Sequence, residues 1–368
     1  MSTRIHGLDV ARALAICGMV AAHFDAHEGD AADTLLRAFT YGTASAAFAV
    51  LAGVSLSIMV RAALQRTGGR FAAAQVALGV RGLILMALWL PLAALQPYIA
   101  VVLLSIGVIF VALPFAVRLP LAWQLWLLAV FVTLAPLETA LVDNDFLAFS
   151  PYPFAAWLAY GMVGVLVHRL VLLRPDAPLP GAPLRGAPLR VAVGASIVGA
   201  AGLLHRVMFD PVFARPGFQR ADMSFLDKYF GNSPHTGGVL EVLTNASVAV
   251  ALIAWCLVVC ASPALVRWLA PVRALGSMAL TFYVAHVLTA RFVFEGVGDD
   301  AAAIPGRFTF WLAVTLVAGL VFAWIWRHFF RRGPLEWVMA ATVRAATRPF
   351  EQDADRSVAL GSDGTSAK

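Results

Sequence analysis

The chain reads as an all-α, polytopic transmembrane helix bundle of about ten spans, and three observations carry that expectation. Apolar residues make up 61% of its 368 positions and charged residues 13%, against roughly 45–50% and 25% in soluble domains. Apolar stretches of about 20 residues recur along its length, enough for a helix to cross a hydrocarbon core of about 30 Å. The two-residue alternation of membrane-barrel strands is absent, which leaves helices to satisfy the backbone in lipid.

In chain order, the first expected span is 8–24. A cleavable leader is its rival, but Asp9 and Arg12 interrupt the apolar run, as a removed segment has no need to do. The second, 36–60, contains Gly53, Ser55 and Ser57, small residues that suit close helix packing, and no base is evident beside the serines. Spans at 73–95, 99–117, 121–142 and 154–173 follow. A Pro-rich run at about 174–190, with GAPLR twice, cannot continue a helix and reads as a linker. After a span at 191–207 comes the longest outward loop, about 208–238. Its aromatic residues, among them Phe209, Phe218 and Tyr229, argue for a folded cover over the outer mouth rather than plain disorder. Spans at 239–261, 275–294 and 308–329 complete a membrane domain over 1–333. Pro334 then starts an interfacial helix at 334–350, and 351–368 reads as a disordered polar tail.

Loop charge orients these spans. Arg61, Arg66 and Arg70 follow the second span, Arg174, Arg185 and Arg190 the sixth, Arg267 and Arg273 the eighth, and Arg331 and Arg332 the tenth. By the positive-inside rule these loops and both termini face the cytoplasm. Asp25, Glu28, Asp30 and Asp33, then Asp143 and Asp145, then Asp299 and Asp300 mark the outward loops. The net charge of +6 is thereby a matter of topology, since a nucleic-acid binder gathers its arginines into one patch. Cys17, Cys256 and Cys260 lie in apolar spans and read as small core residues, with neither a disulfide framework nor a metal site.

Ionisable groups inside a membrane are costly and mark sites. Asp9, Arg12 and Arg81 lie toward the cytoplasmic side, and His23, Glu241 and His286 between mid-membrane and the outer face. Arg12 and His23 are eleven residues apart on one helix, about 16 Å along its axis and close to three turns, so they share one face. An arginine at the inner end can hold phosphate through two parallel hydrogen bonds, and an imidazole higher up can exchange a proton near neutral pH. The plainer alternative has Arg12 paired with Asp9 and His23 capping the span beside Asp25. Arg81 either supplements Arg12 or pairs with Asp9. His235 stands in NSPHTGG, where Pro and Gly can shape a turn that presents an imidazole outward. Glu241 can orient either histidine or pair with an arginine such as Arg291. His286 needs a partner from a neighbouring helix.

The opening GLDVARALAICGMVAAHF, with FAVLAGVSLSIM, NSPHTGGVLEVLTNASVAVALIAWCL, LGSMALTFYVAHVL and RRGPLEWVM, resembles membrane acyltransferases. The resemblance is to the heparan-alpha-glucosaminide N-acetyltransferase-like group and its bacterial members, and Arg12 and His23 match the Arg-x10-His feature of acyltransferase-3 proteins. It implies a bacterial inner-membrane enzyme with no bound cofactor, and acyl-CoA, most simply acetyl-CoA, as cytosolic co-substrate. The acceptor would be an envelope glycan or small molecule outside, with Arg12 and Arg81 binding the donor, supported by Asp9 and His286. His23 would be the general base, with Glu241 assisting. The lysosomal enzyme's first span has no histidine aligned with His23, so His235 stays its rival for the catalytic role. A secondary transporter of a small polar or anionic solute is the alternative, and RRGPLEW is silent as chemistry.

Overall fold

Runs of Ala, Leu and Val broken mainly by Gly and Pro have no strand periodicity to follow, and the computed structural model turns them into helices. It describes residues 4–24, 31–66, 68–95, 99–141, 153–173, 187–214, 223–295 and 307–363. All regular structure among the described residues is helical. The elements are α1 (His6–His23), α2 (Ala31–Thr40), α3 (Thr43–Leu64), α4 (Gly68–Leu95), α5 (Leu103–Ala112), α6 (Leu121–Leu141), α7 (Phe154–Val167), α8 (Ala187–Phe209), α9 (Pro211–Ala214) and α10 (Phe225–Phe230). They continue with α11 (Val239–Val259), α12 (Pro263–Trp268), α13 (Ala270–Gly276), α14 (Ala279–Glu295), α15 (Arg307–Phe329) and α16 (Pro334–Asp363). A π-helical turn, His168–Leu172, extends α7.

Seven segments among the described residues are long and apolar enough to cross a membrane: Leu36–Leu64, Arg70–Leu95, Leu121–Leu141, Phe154–Leu172, Ala187–Phe209, Val239–Val259 and Thr309–Phe329. An eighth is a bent pair, Ala270–Gly276 and Ala279–Arg291, at 80°. The remaining two expected spans take other forms. The run 99–117 holds only the ten-residue α5 and a short 3-10 turn, Ala116–Arg118. That α5 is about 15 Å long, and Pro114 lies just past its end, where proline disfavours helix continuation. The first run is α1, at 18 residues shorter than the seven and interrupted by Asp9 and Arg12.

The layering follows from what each helix buries. The α1 helix packs against α3, α11, α13, α14 and α15, and α3 lies between α7 and α11. These form the inner layer, with α3, α7 and α11 more than half buried, whereas α4, α6, α8 and α15 are mostly exposed. The outer helices turn Leu83, Leu90, Trp123, Trp126, Val317 and Trp324 outward, an apolar girdle that water would not tolerate and lipid would. Gly53 lets α3 meet α7 backbone to backbone, since a Cβ there would collide with Gly161 and one at Gly164 with Val50. Small residues at a helix crossing give this close approach.

Beyond α15, α16 docks along α4 and runs to Asp363, past position 350, where the polar composition predicts an end. Its second half, EQDADRSVALGSD, mixes helix formers (Glu, Gln, Ala, Arg, Leu) with Asp, Ser and Gly, which favour helix less. The expected outer cover contains α9 and α10, and α10 packs on α6 and α11. Ser224 and Asp227 close a reciprocal capping box at its start, Asp227 N–H to Ser224 Oγ at 3.2 Å and Ser224 N–H to Asp227 Oδ2 at 3.1 Å. The acidic residues at 25–30, 143–145 and 299–300, most of the Pro-rich linker (174–186), loop residues 215–222 and the last five residues lie outside the described residues.

Candidate functional site

Two polar centres interrupt the apolar interior, one toward the end of the bundle that carries Arg61 and Arg66, the other toward the opposite end. The first begins on α1, whose first turn holds Asp9. Arg4 Nε donates to Asp9 Oδ2 at 2.6 Å, and Arg12 Nη1 to Asp9 Oδ1 at 3.1 Å, the one-turn spacing that places i and i+3 side by side. Arg12 Nη2 also donates to Ser55 Oγ on α3 at 2.8 Å, and the Ser55 hydroxyl in turn donates to the Leu51 carbonyl. Arg4, Asp9, Arg12 and Ser55 lie on the wall of a cavity of ≈300 Å³ whose other walls are apolar, including Phe48, Leu103, Ile106 and Phe110. Tyr283 and Glu336 also line it.

The break between α13 and α14 shapes that cavity. Glu336, in the first turn of α16, accepts from the N–H groups of Leu280 (2.7 Å) and Thr281 (3.1 Å) and from the Thr281 hydroxyl (2.6 Å). A helix start has unpaired N–H groups and a positive dipole end, so a carboxylate there is both a cap and a counter-charge. One turn further on, the Tyr283 oxygen accepts from Val102 N–H at 3.0 Å, and its ring meets His286 edge to face at 5.1 Å between centroids. His286 Nε2 lies 3.1 Å from His23 Nδ1, with the two rings nearly parallel. One N–H therefore serves both imidazoles, and Nδ1 is the engaged nitrogen of His23. Tyr283 thus lies on the cavity wall with its ring against His286, so the cavity and the histidine pair are neighbours.

The second centre is built around Arg206 on α8, which is fully buried. Its Nε donates to Asn232 O (2.8 Å), Nη1 to Ala38 O (3.1 Å) and Thr43 Oγ1 (3.4 Å), and Nη2 to Asn232 Oδ1 (3.0 Å) and Asn245 Oδ1 (2.8 Å). Glu241, in the first turn of α11, accepts the N–H groups of His235 (2.6 Å), Thr236 (3.0 Å) and Gly237 (2.7 Å), and Asn245 Nδ2 at 3.2 Å. Gly42 completes the nest with φ 74°, and a Cβ there would press on Asn245 and Glu241. His235 takes a left-handed φ of 64°, a conformation uncommon for a side chain beyond glycine, held by the Glu241 carboxylate. Its ring meets Tyr41 edge-on at 6.4 Å.

The expected site residues therefore separate. Asp9 and Arg12 belong to the first centre and Glu241 and the His235 backbone to the second, while His23 and His286 stand between them, with His23 within electrostatic range of His235. Asp9 takes its ion pairs from Arg4 and Arg12, while Arg81 does not line the cavity and lies within electrostatic range of Arg332. Sequence reasoning passes over several participants. Ser55 is read there as packing and Glu336 as silent, yet one holds Arg12 and the other caps α14. Arg206 is an ionisable residue inside an apolar run, which is itself the signal that marks it. The serines of α3 are read as lacking a base, but Ser57 Oγ lies 2.7 Å from His168 Nδ1, both buried. That pair joins partners 111 residues apart, and no local pattern announces it.

A helical, multi-pass membrane protein with a charged cavity inside its bundle is the class that this fold and these centres define. Residues 222–345 match the model of a family described as a protein of unknown function (DUF418), a stretch that contains Glu241, Tyr283, His286 and Glu336 but neither Arg12 nor His23. No curated protein matches the chain.

Proposed function

We propose that this protein is a membrane acyltransferase, with ten passes or membrane-inserted segments and both termini in the cytoplasm of a bacterium. It moves a short acyl group, most simply acetyl, from cytosolic acyl-CoA to a hydroxyl or amine of an extracytoplasmic acceptor such as an envelope glycan. The observation that supports the reading is that Tyr283, on the wall of the Arg4–Asp9–Arg12 cavity, packs against His286, which is hydrogen-bonded to His23. Arg12 and Arg4 hold donor phosphate, and the apolar walls receive the pantetheine arm. His23 Nε2 takes the proton as the acceptor heteroatom bonds to the acyl carbon. The carbon–sulfur bond breaks, and the histidine pair returns the proton to the departing thiolate. Tyr283 and His286 orient His23, and Arg81 is left with a supporting charge at the cavity's cytoplasmic approach.

Acetyl-CoA added to the purified protein tests this directly. Wild type should be stabilised, Arg12→Ala should not, and His23→Ala should keep the stabilisation while losing transfer to an acceptor. Absence of any donor effect on wild type overturns the enzyme reading, and loss of transfer only in His235→Ala moves the catalytic role to the loop. One feature favours a second reading, a secondary transporter of a small anion: the 80° break before α14, since transporters aim broken-helix N-termini at anionic substrates. Anion counterflow in proteoliposomes without acyl-CoA is the result that selects it.

A further inference from the structure

A second cavity, of ≈330 Å³, opens between α4 and the connection from α5 to α6, lined by Gln75, Leu78, Gly79, Phe110, Phe115 and Arg118 among others. It lies at the arginine-rich end, where α4 begins and the 3-10 turn Ala116–Arg118 ends. We infer that this cavity binds an anionic phospholipid of the adjoining leaflet.

Two polar side chains, Gln75 and Arg118, stand on its wall. Arg118 is exposed and lies over the Phe71 ring at 5.1 Å, and among the described residues no carboxylate pairs with it. A cation on a ring face keeps its N–H edge available for oxygen acceptors. Gln75 Nε2 is buried with no hydrogen-bond partner among the described residues, a state that a donor does not keep cheaply. A cation and an unused donor beside one cavity call for an occupant with an anionic group and a second acceptor. Leu78, Phe110 and Phe115 call for a hydrocarbon chain on the same molecule. A phospholipid has all three parts: phosphate for Arg118, an ester carbonyl for the Gln75 amide, and an acyl chain for the apolar wall. Basic pockets between spans at the cytoplasmic face take anionic head groups for this reason. The assignment requires only that the bundle sits in a membrane and is independent of acyl transfer.

The test uses the full chain purified in a neutral detergent, with thermal unfolding followed on addition of phosphatidylglycerol, phosphatidylcholine of the same chains, or inorganic phosphate. Phosphatidylglycerol should raise Tm by about 2–5 °C, and phosphatidylcholine should not. Arg118→Gln should remove the rise without changing the lipid-free Tm. Gly79→Phe gives an independent block, because a Cβ at Gly79 meets nothing within 4 Å and the ring fills the cavity; it too should remove the rise. Equal responses to the two lipids, or a phosphatidylglycerol response that survives in Arg118→Gln, overturns the site. A rise with inorganic phosphate alone overturns the lipid assignment in favour of a free-anion site.

Discussion

Arg206 and Arg12 both sit inside the bundle, on α8 and α1, but they differ in what satisfies them. Arg206 is fully buried and its three nitrogens reach only neutral oxygens, the carbonyls of Ala38 and Asn232, the side chains of Asn232 and Asn245, and the Thr43 hydroxyl. Its whole donor fork is committed to joining α8, α2, α11, the start of α3 and the loop before α11. Arg12 shares one carboxylate with Arg4, touches one hydroxyl, and borders a cavity with about a quarter of its side chain exposed. A saturated buried arginine acts as a structural clamp. One that borders an apolar-walled cavity with fewer of its donors engaged keeps capacity for a ligand.

That contrast can be broken by measurement. Arg206→Met leaves several buried acceptors without donors, each loss about 1–3 kcal/mol, so the variant should unfold at least about 3 kcal/mol earlier in a detergent denaturation series. A near-wild-type midpoint would remove the distinction between the two arginines. Glu336→Ala should lower stability by about 1.5–3 kcal/mol through loss of charge-assisted bonds to the start of α14. Hydrogen exchange at Leu280 and Thr281 should quicken with it, and unchanged exchange there would show that the cap is not what holds the break. Ser57→Ala removes one buried interhelical bond and should shift the midpoint by only about 1 kcal/mol, which a paired His168→Phe variant should not double. Smallest of all, Arg12→Ala leaves buried Asp9 its bond to Arg4 and should alter stability by only about 1 kcal/mol while abolishing the response to acetyl-CoA. A large stability loss in this last variant would make Arg12 a clamp like Arg206.

The three glutamates of the interior draw a second distinction. Glu138 accepts the N–H groups of Phe154 and Ala155 at the start of α7, Glu241 those of 235–237, and Glu336 those of Leu280 and Thr281. All three hold a backbone turn or helix start by one device. Read from sequence, Glu241 is a candidate partner for a catalytic histidine, whereas in the fold its carboxylate takes hold of the His235 backbone. A carboxylate looks the same in a sequence whether it will meet an imidazole or an amide. Only the loop that folds over it decides.

Composition and apolar run length by themselves determined that this chain is a helical membrane bundle, because hydrocarbon allows few other ways to satisfy a backbone. Helical periodicity also placed Arg12 and His23 on one inward face, a relation internal to a single helix. What only the tertiary structure decided is every pairing between helices: His286 against His23, Ser55 against Arg12, His168 against Ser57, and Glu336 beneath the break before α14. It also decided that 99–117 is a short helix and a turn, and that 275–294 contains an 80° bend near its start. The physical reason is the same in each case. Span signals are sums over neighbouring residues, but a hydrogen bond across 263 positions depends on crossing angles set by the small residues at helix contacts, and these add little to any local sum.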